Sequence, residues 1–138
     1  AIGFSLLDYS PHPDFSASQH YARLIVQKVL AKKQPQHFLL NVNIPKLSTS
    51  EIKGYKICKQ AYAKYKESFL ERKDPHNRNY YWLTGEFVNF DKAKDTDVWA
   101  LANGYVSVVP VQFDLTNYEV KKKLEKEWES QSKRKGKD

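Results

Sequence analysis

The sequence predicts an α/β fold: a parallel sheet built on a β-α-β unit, with an added antiparallel hairpin and a C-terminal helix. Three observations carry this expectation. Two apolar runs, Ala1–Leu7 and Phe38–Ile44, flank a segment whose apolar residues recur at helical spacing. Polar and apolar residues then alternate from Tyr55 onward and turn back at Asp74-Pro75-His76-Asn77. Finally, Asp95–Thr116 holds a helix start, a glycine stop, a buried strand and a second helix start in one run.

Taken in order, Ala1–Leu7 reads as a buried strand and Asp8–Phe15 as a proline-containing loop. Ser16 or Ser18 is the expected cap of a helix reaching about Lys33, with Tyr21, Leu24, Ile25, Val29 and Leu30 as its apolar positions and Pro35 as its stop. Phe38–Ile44 is the second strand, and a β-α-β unit of this kind is parallel and right-handed. Tyr55–Gln60 and Ala61–Lys73 read as half-exposed antiparallel strands. Asn79–Thr84 returns, giving a hairpin over Tyr62–Leu83, and Gly85–Lys94 reads as a loop. Thr96 caps a short helix with Val98, Leu101 and Ala102 on its apolar side, and Gly104 supplies a left-handed C-terminal residue. Tyr105–Phe113 is apolar and β-branched enough to pack on both sides. Thr116 and Glu119 form a capping box for a last helix from about Asn117 to Ser130, whose stripe of Val120, Leu124 and Trp128 is narrow. The lysine-rich end, Ser130–Asp138, is expected to fray.

A chain of 138 residues suits one domain. The net charge is +7, of which +4 lies from Lys121 onward, so a basic surface spread over the fold is not indicated and nucleic acid is not the expected partner. The lone cysteine, Cys58, excludes an internal disulfide and fits a reducing cytoplasm; a small buried strand residue is the expected role. No run of 18 apolar residues, signal peptide or transit peptide is visible, so no membrane partner is expected. A glycine-rich phosphate loop, a zinc pattern and a nucleophile elbow are all missing. His12, His20, His37 and His76 show no ligand spacing. His12 follows a strand and has a conceivable catalytic use, against which stands a solvent-exposed loop position.

Two groups of polar residues stand out. Asp8 follows the first strand and Asn43, with Asn41 before it, ends the second, where open parallel sheets bind ligands. They either line a crevice or satisfy backbone groups at strand ends. Asp95 and Asp97 flank Thr96. They either hold a divalent cation or answer a helix dipole, and the second reading explains the residue choice alone. Tyr80, Tyr81 and Trp82, with Tyr62, Tyr65 and Phe69, make an aromatic hairpin flanked by Lys and Arg. This is the composition of a protein interface or of a single-strand-binding surface. Because a two-stranded ribbon cannot bury an apolar face unaided, subunit contact is the expected role. The last helix, through Leu124 and Trp128, likewise needs a groove.

Several stretches together resemble the stationary-phase survival protein SurE family of nucleotidases. Ala1–Leu7 is similar to its Ala-Ile-(small)-(apolar)-Ser-Leu strand, and Leu39–Pro45 to its Leu-Asn-Val-Asn-Val/Ile-Pro strand. Glu51–Gly54 resembles its Glu-Ile-Lys-Gly turn, Glu71–Leu83 its hairpin, and Asp95–Thr116 its C-terminal signature. Val109 stands where the family usually has Thr before a proline. The resemblance implies the C-terminal part of a Rossmann-like sheet. It also implies hydrolysis of nucleoside 5′- or 3′-monophosphates with a divalent metal, Mg or Mn. The family's metal ligands and its Ser-Gly-Thr segment precede the region that Ala1 begins, so neither catalytic nor metal-ligating residues are expected in this chain. Asp8, Asn43, Asp95 and Thr96 become the candidates beside substrate. The hairpin, about residues 55–84, and the C-terminal helix are implied to make dimer or tetramer contacts. The expected organisation is therefore 1–116 as part of the nucleotidase domain and 117–138 as helix and basic tail. The lack of methionine and the apolar opening at Ala1 agree with a fragment.

Overall fold

The computed structural model describes residues 1–35 and 38–129. His37 and the lysine-rich end from Ser130 lie outside the described residues. The element order is β1 (Ile2–Leu6), α1 (Ser16–Leu30), β2 (Leu40–Ile44), β3 (Tyr55–Ile57), β4 (Ala63–Lys73), β5 (Asn79–Asn89), α2 (Asp97–Ala102), β6 (Val106–Pro110) and α3 (Tyr118–Leu124). A wide π-type turn, Glu125–Glu129, continues α3.

The main sheet runs β1-β2-β6-β3. β1 and β2 are parallel, as the β-α-β reading expects, and β3 is parallel to β6. β6 is antiparallel to β2, so the sheet is mixed. The sheet's core lies beneath α1, where Ala17, Tyr21 and Ile25 pack on Leu40, Val42, Ile44, Val106 and Val108. Spacing of four puts the three helix residues on one face, and alternation puts Leu40, Val42 and Ile44 on one side of β2. A smaller cluster of Cys58, Ala100 and Val109 lies under α2 on the opposite side of the sheet. Burial pushes the Cys58 thiol up, so it is a core residue and a poor nucleophile.

Several local expectations are corrected. Neither Ser16 nor Ser18 caps α1; the Asp14 carboxylate accepts from the backbone N–H of Ser16 at 2.8 Å and from its hydroxyl at 2.6 Å. An aspartate two residues ahead closes the first turn as well as a serine does. The helix stops at Leu30 rather than Lys33, where the Gln34 side chain takes the orphaned carbonyls of Val29 and Lys32. In α2 the fully buried residue is Ala100, not Val98, Leu101 or Ala102. Asn117, not Thr116, caps α3, accepting from Val120 N–H, because Thr116 N–H is already held by Asp114. No residue of α3 is buried.

The hairpin also differs. Tyr55–Ile57 belongs to the main sheet, and the ribbon is Ala63–Lys73 paired with Asn79–Asn89. Asp74 builds the turn, taking the N–H groups of His76 and Arg78, while Asn77 adopts φ 62°. Gly85 does not end β5. The Tyr65 ring lies over it and donates its hydroxyl to the Gly85 carbonyl at 2.9 Å, which explains a glycine inside a strand. A Cβ there would stand 2.5 Å from the Tyr65 ring and 2.6 Å from the Lys66 carbonyl oxygen. Gly85→Val is therefore expected to cost about 1–3 kcal/mol, as overpacking does. Hydrogen exchange should show lost protection from Tyr65 to Phe69 and from Leu83 to Phe87. Unchanged protection there would contradict the packing.

Candidate functional site

The carboxyl ends of β1 and β2 form the rim at which an open sheet offers a ligand site. Leu6 and Ile44 end the two strands side by side, and Leu7 N–H reaches the Ile44 carbonyl at 2.9 Å. The chain then leaves each strand equivalently, so Asp8 and Lys46 meet. Asp8 Oδ1 accepts from Lys46 Nζ at 2.9 Å and from Ser10 N–H at 2.9 Å. The Asp8 side chain is 6% exposed whereas that of Lys46 is 62% exposed. The Lys46 hydrogen bond, aided by Ser10, holds the Asp8 carboxyl down at about 2. One residue inside the strand end, Asn43 is half-buried and its Nδ2 approaches Asn41 Oδ1 at 3.5 Å.

This arrangement is not suited to transferring protons. A carboxylate titrating near 2 carries no proton at neutral pH and is a weak base there. Lys46 presents an exposed ammonium whose position Asp8 fixes, in a hollow shared with Leu6, Asp14 and Glu51, while Asn41 and Asn43 lie on the sheet face away from α1. The linkage sign is definite: because the folded value lies below the ordinary aspartate value of 3.8, the pair stabilises the fold above about pH 4. That contribution is lost as pH falls toward 2. Asp8→Asn is expected to flatten the drop of Tm between about pH 4 and 2 while leaving the profile above pH 5 parallel to the parent. Identical acid slopes in a thermal-melt series would show that the pair does not form.

Asp95 and Thr96 are elsewhere. Thr96 bridges to Lys59, just beyond β3, and β3 runs with β6 against β2. They therefore sit toward the amino end of β2, about 10 Å along the sheet from the row holding Asn43. Thr96 is 0% exposed, accepting from Trp99 N–H at 3.2 Å and donating to the Ala93 carbonyl at 3.0 Å. Its hydroxyl is fully used as the α2 cap. Asp95 and Asp91 share Lys59, and Asp97 takes the N–H groups of Ala61 and Val98. The four substrate-adjacent candidates thus fall into two groups at opposite ends of the sheet.

The described residues do not fit a divalent metal. No group of three or more His, Cys, Asp or Glu able to hold one occurs among the described residues. Near the rim, Asp8 is bound to Lys46, Asp14 to Ser16, and Glu51 to the Ser48 hydroxyl at 2.6 Å. The Ser48 hydroxyl and N–H hold Glu51 below its ordinary value, and those of Ser16 do the same for Asp14. Sequence reasoning missed Lys46 and Ser107. A lysine directly after the Pro45 that ends a strand was the available signal for the first. Ser107 gave none, since it lies within an apolar run.

Comparison with known proteins agrees with this architecture. Residues 1–67 match the family model described as survival protein SurE. A 5′-nucleotidase SurE of Flavobacterium psychrophilum is 57% identical over 116 residues, covering 84% of this chain and 45% of that protein. The chain belongs to the SurE family. A 5′-nucleotidase SurE of Christiangramia forsetii is 56% identical over 124 residues, covering 90% of this chain and 48% of that protein. The crystal structure of the SurE protein from Aquifex aeolicus superposes with a TM-score of 0.73 at 40% identity, covering 90% of this chain and 50% of that one. The chain spans about half the length of the curated SurE relatives it matches. Val109, at the position where the family resemblance suggests Thr, packs on Cys58 and Ala100 and needs no hydroxyl.

Proposed function

We propose that this chain is the C-terminal half of a SurE nucleotidase that hydrolyses nucleoside 5′- or 3′-monophosphates to nucleoside and phosphate. The observation that carries the proposal is the 57% identity to a protein named 5′-nucleotidase SurE, over 45% of that protein's length. In the reaction a water oxygen attacks phosphorus, the ester P–O bond breaks, and the nucleoside oxygen leaves with a proton. Lys46 lines the crevice at the strand ends and meets the phosphate by charge, with the Asn43 amide one residue inside the strand end. Mg or Mn would be held by the other half of the polypeptide, and this chain has no part in its coordination.

Assembly is part of the proposal. The exposed hairpin and the stripe of Val120, Leu124 and Trp128 suit contacts between copies, as a homodimer or homotetramer. No helix among the described residues is long and apolar enough to cross a membrane, and the single cysteine suits a reducing compartment, so we place the protein in the cytoplasm. A second reading, a non-enzymatic oligomerisation or single-strand-binding module, draws on Arg72 lying 5.8 Å over the Trp82 ring in the hairpin. Joining the chain to the half it lacks separates the two. Chelator-sensitive release of phosphate from a nucleoside monophosphate supports the nucleotidase. RNA binding that weakens steeply with salt, without phosphate release, supports the module.

A further inference from the structure

Pairing of β4 with β5 sorts the ribbon's side chains onto two faces of different chemistry. One carries Tyr65, Phe69, Tyr81 and Leu83, with Glu67 and Glu71 against Lys73. The other carries Leu70, Tyr80 and Trp82, with Lys64, Lys66 and Arg72 against Glu86. The first face is apolar and faintly acidic; the second is basic and aromatic. The positive charge outside the C-terminal end is thus sorted by face on this ribbon rather than spread over the fold.

The cations of the second face are available to an anion. Among the described residues no carboxylate forms an ion pair with Lys64, Lys66 or Arg72, although Glu86 stands opposite Lys66. Two of them lie over rings instead, Arg72 at 5.8 Å from the centre of Trp82 and Lys64 at 5.6 Å from that of Phe90. Arg78 does not join them, because Asp74 holds it at 2.8 Å. Trp82 is 57% exposed and Tyr80 41%. Midway along the ribbon Lys66, Glu86, Ser68 and Thr84 surround a hollow of about 340 Å³, with the Glu67–Gly85 pair between them. Tyr65 fills the space over Gly85 on the apolar face, so the hollow opens on the basic one.

A surface of cations and rings takes a ligand that is anionic along its length and offers flat faces at intervals. Single-stranded nucleic acid does both. Tyr80 and Trp82 stand two residues apart, about 6.8 Å along β5. That is twice the roughly 3.4 Å rise between stacked bases, so each ring has room for its own base. A duplex keeps its bases paired and stacked on one another, away from such rings. We propose that the basic face of the ribbon, Lys64, Lys66, Arg72, Tyr80 and Trp82, binds single-stranded RNA or DNA. Phosphates lie along the two lysines and Arg72, and bases stack on Tyr80 and Trp82. The hollow takes the sugar or base between them. This surface is additional to hydrolysis of a nucleoside monophosphate and does not depend on it. The apolar face is left for contact between copies.

Fluorescence anisotropy of a labelled oligouridylate of about twelve nucleotides, titrated with the 138-residue chain in chelator, tests it. Saturable binding is expected, and an abasic oligomer of the same length should bind far more weakly. Trp82→Ala is expected to weaken binding about fivefold or more, and Trp82→Phe to retain most of it. Arg72→Gln should weaken it and lower the slope of log affinity against log salt by about 0.7. Lys122→Gln, which removes a cation from α3, should leave affinity within about twofold. If Trp82→Ala unfolds the ribbon, Trp82→Phe and the Arg72→Gln salt slope decide. No binding by the parent, equal binding of the abasic oligomer, or decisive variants that bind as the parent does overturns the inference. So does a Trp82→Ala chain that falls to monomers while the parent ignores the oligonucleotide, since the face would then be a contact between copies. With metal chelated, binding is read apart from turnover. Failure of the nucleotidase reading therefore leaves this one standing, and failure of binding leaves the nucleotidase untouched.

Discussion

Replacing Phe69 and Leu83 by serine is expected to turn the assembled chain into monomers. Alternation along β4 and β5 puts Tyr65, Phe69, Tyr81, Leu83 and Phe87 on one face of the ribbon. Each of these is between 56% and 68% exposed. The other face carries Tyr80, Trp82 and Leu70 among Lys64, Lys66, Arg72 and Glu86. Tyr80, Tyr81 and Trp82 therefore do not act as one cluster, and the more apolar face is the one Tyr81 shares. A two-stranded ribbon is marginal alone, so this length of exposed apolar surface needs a second body. Phe69 and Leu83 are cross-strand partners at the centre of that face. Central anchors cost about 2 kcal/mol or more each when truncated, and neighbours are not additive. A weakening of about 100-fold or more in the dissociation constant follows. Sedimentation equilibrium over a concentration series reads it, with Trp82→Ala as the milder variant. A parent chain that stays monomeric, or a double variant that assembles as the parent does, would refute the interface.

The second large effect is on stability. Ile44 is 1% exposed in β2, an interior strand of the sheet, and belongs to the cluster beneath α1. Ile44→Ala removes buried methyl groups from a site with little room to relax, which costs about 2–5 kcal/mol. That is a large share of the roughly 5–15 kcal/mol typical of a domain. Ile57 is 65% exposed at the edge of the sheet, so Ile57→Ala should shift stability by about 0.5 kcal/mol or less. Urea denaturation of both variants against the parent gives the comparison. Equal shifts would mean that the β-α-β core is not packed in this chain by itself.

What was legible in the sequence was local. The apolar periodicity of Tyr21 and Ile25 and the alternation of Leu40, Val42 and Ile44 located the β-α-β unit and its core side. Thr96 and Gly104, the latter at φ 80°, marked both ends of α2 because capping and left-handed turns are chemistry of one or two residues. Gly85 misled, since a glycine reads as a break unless the ring that covers it, from a residue 20 positions earlier, is known. Thr116 misled because Asp114 had already claimed its N–H. The direction of β6 was not legible at all, because it depends on how the chain crosses the sheet after β3 and the hairpin. That crossing separates Asp95 and Thr96 from Asp8 and Asn43. It also sets Ser107 beside Asn43, a neighbourhood 64 residues apart in sequence.

The most direct measurement is phosphate release from a nucleoside 5′-monophosphate, with Mg or Mn, by the 138-residue chain alone and by the same chain joined to the half it lacks. The account predicts no turnover by the chain alone and chelator-sensitive turnover by the joined protein. Clear metal-dependent turnover by the chain alone would contradict it.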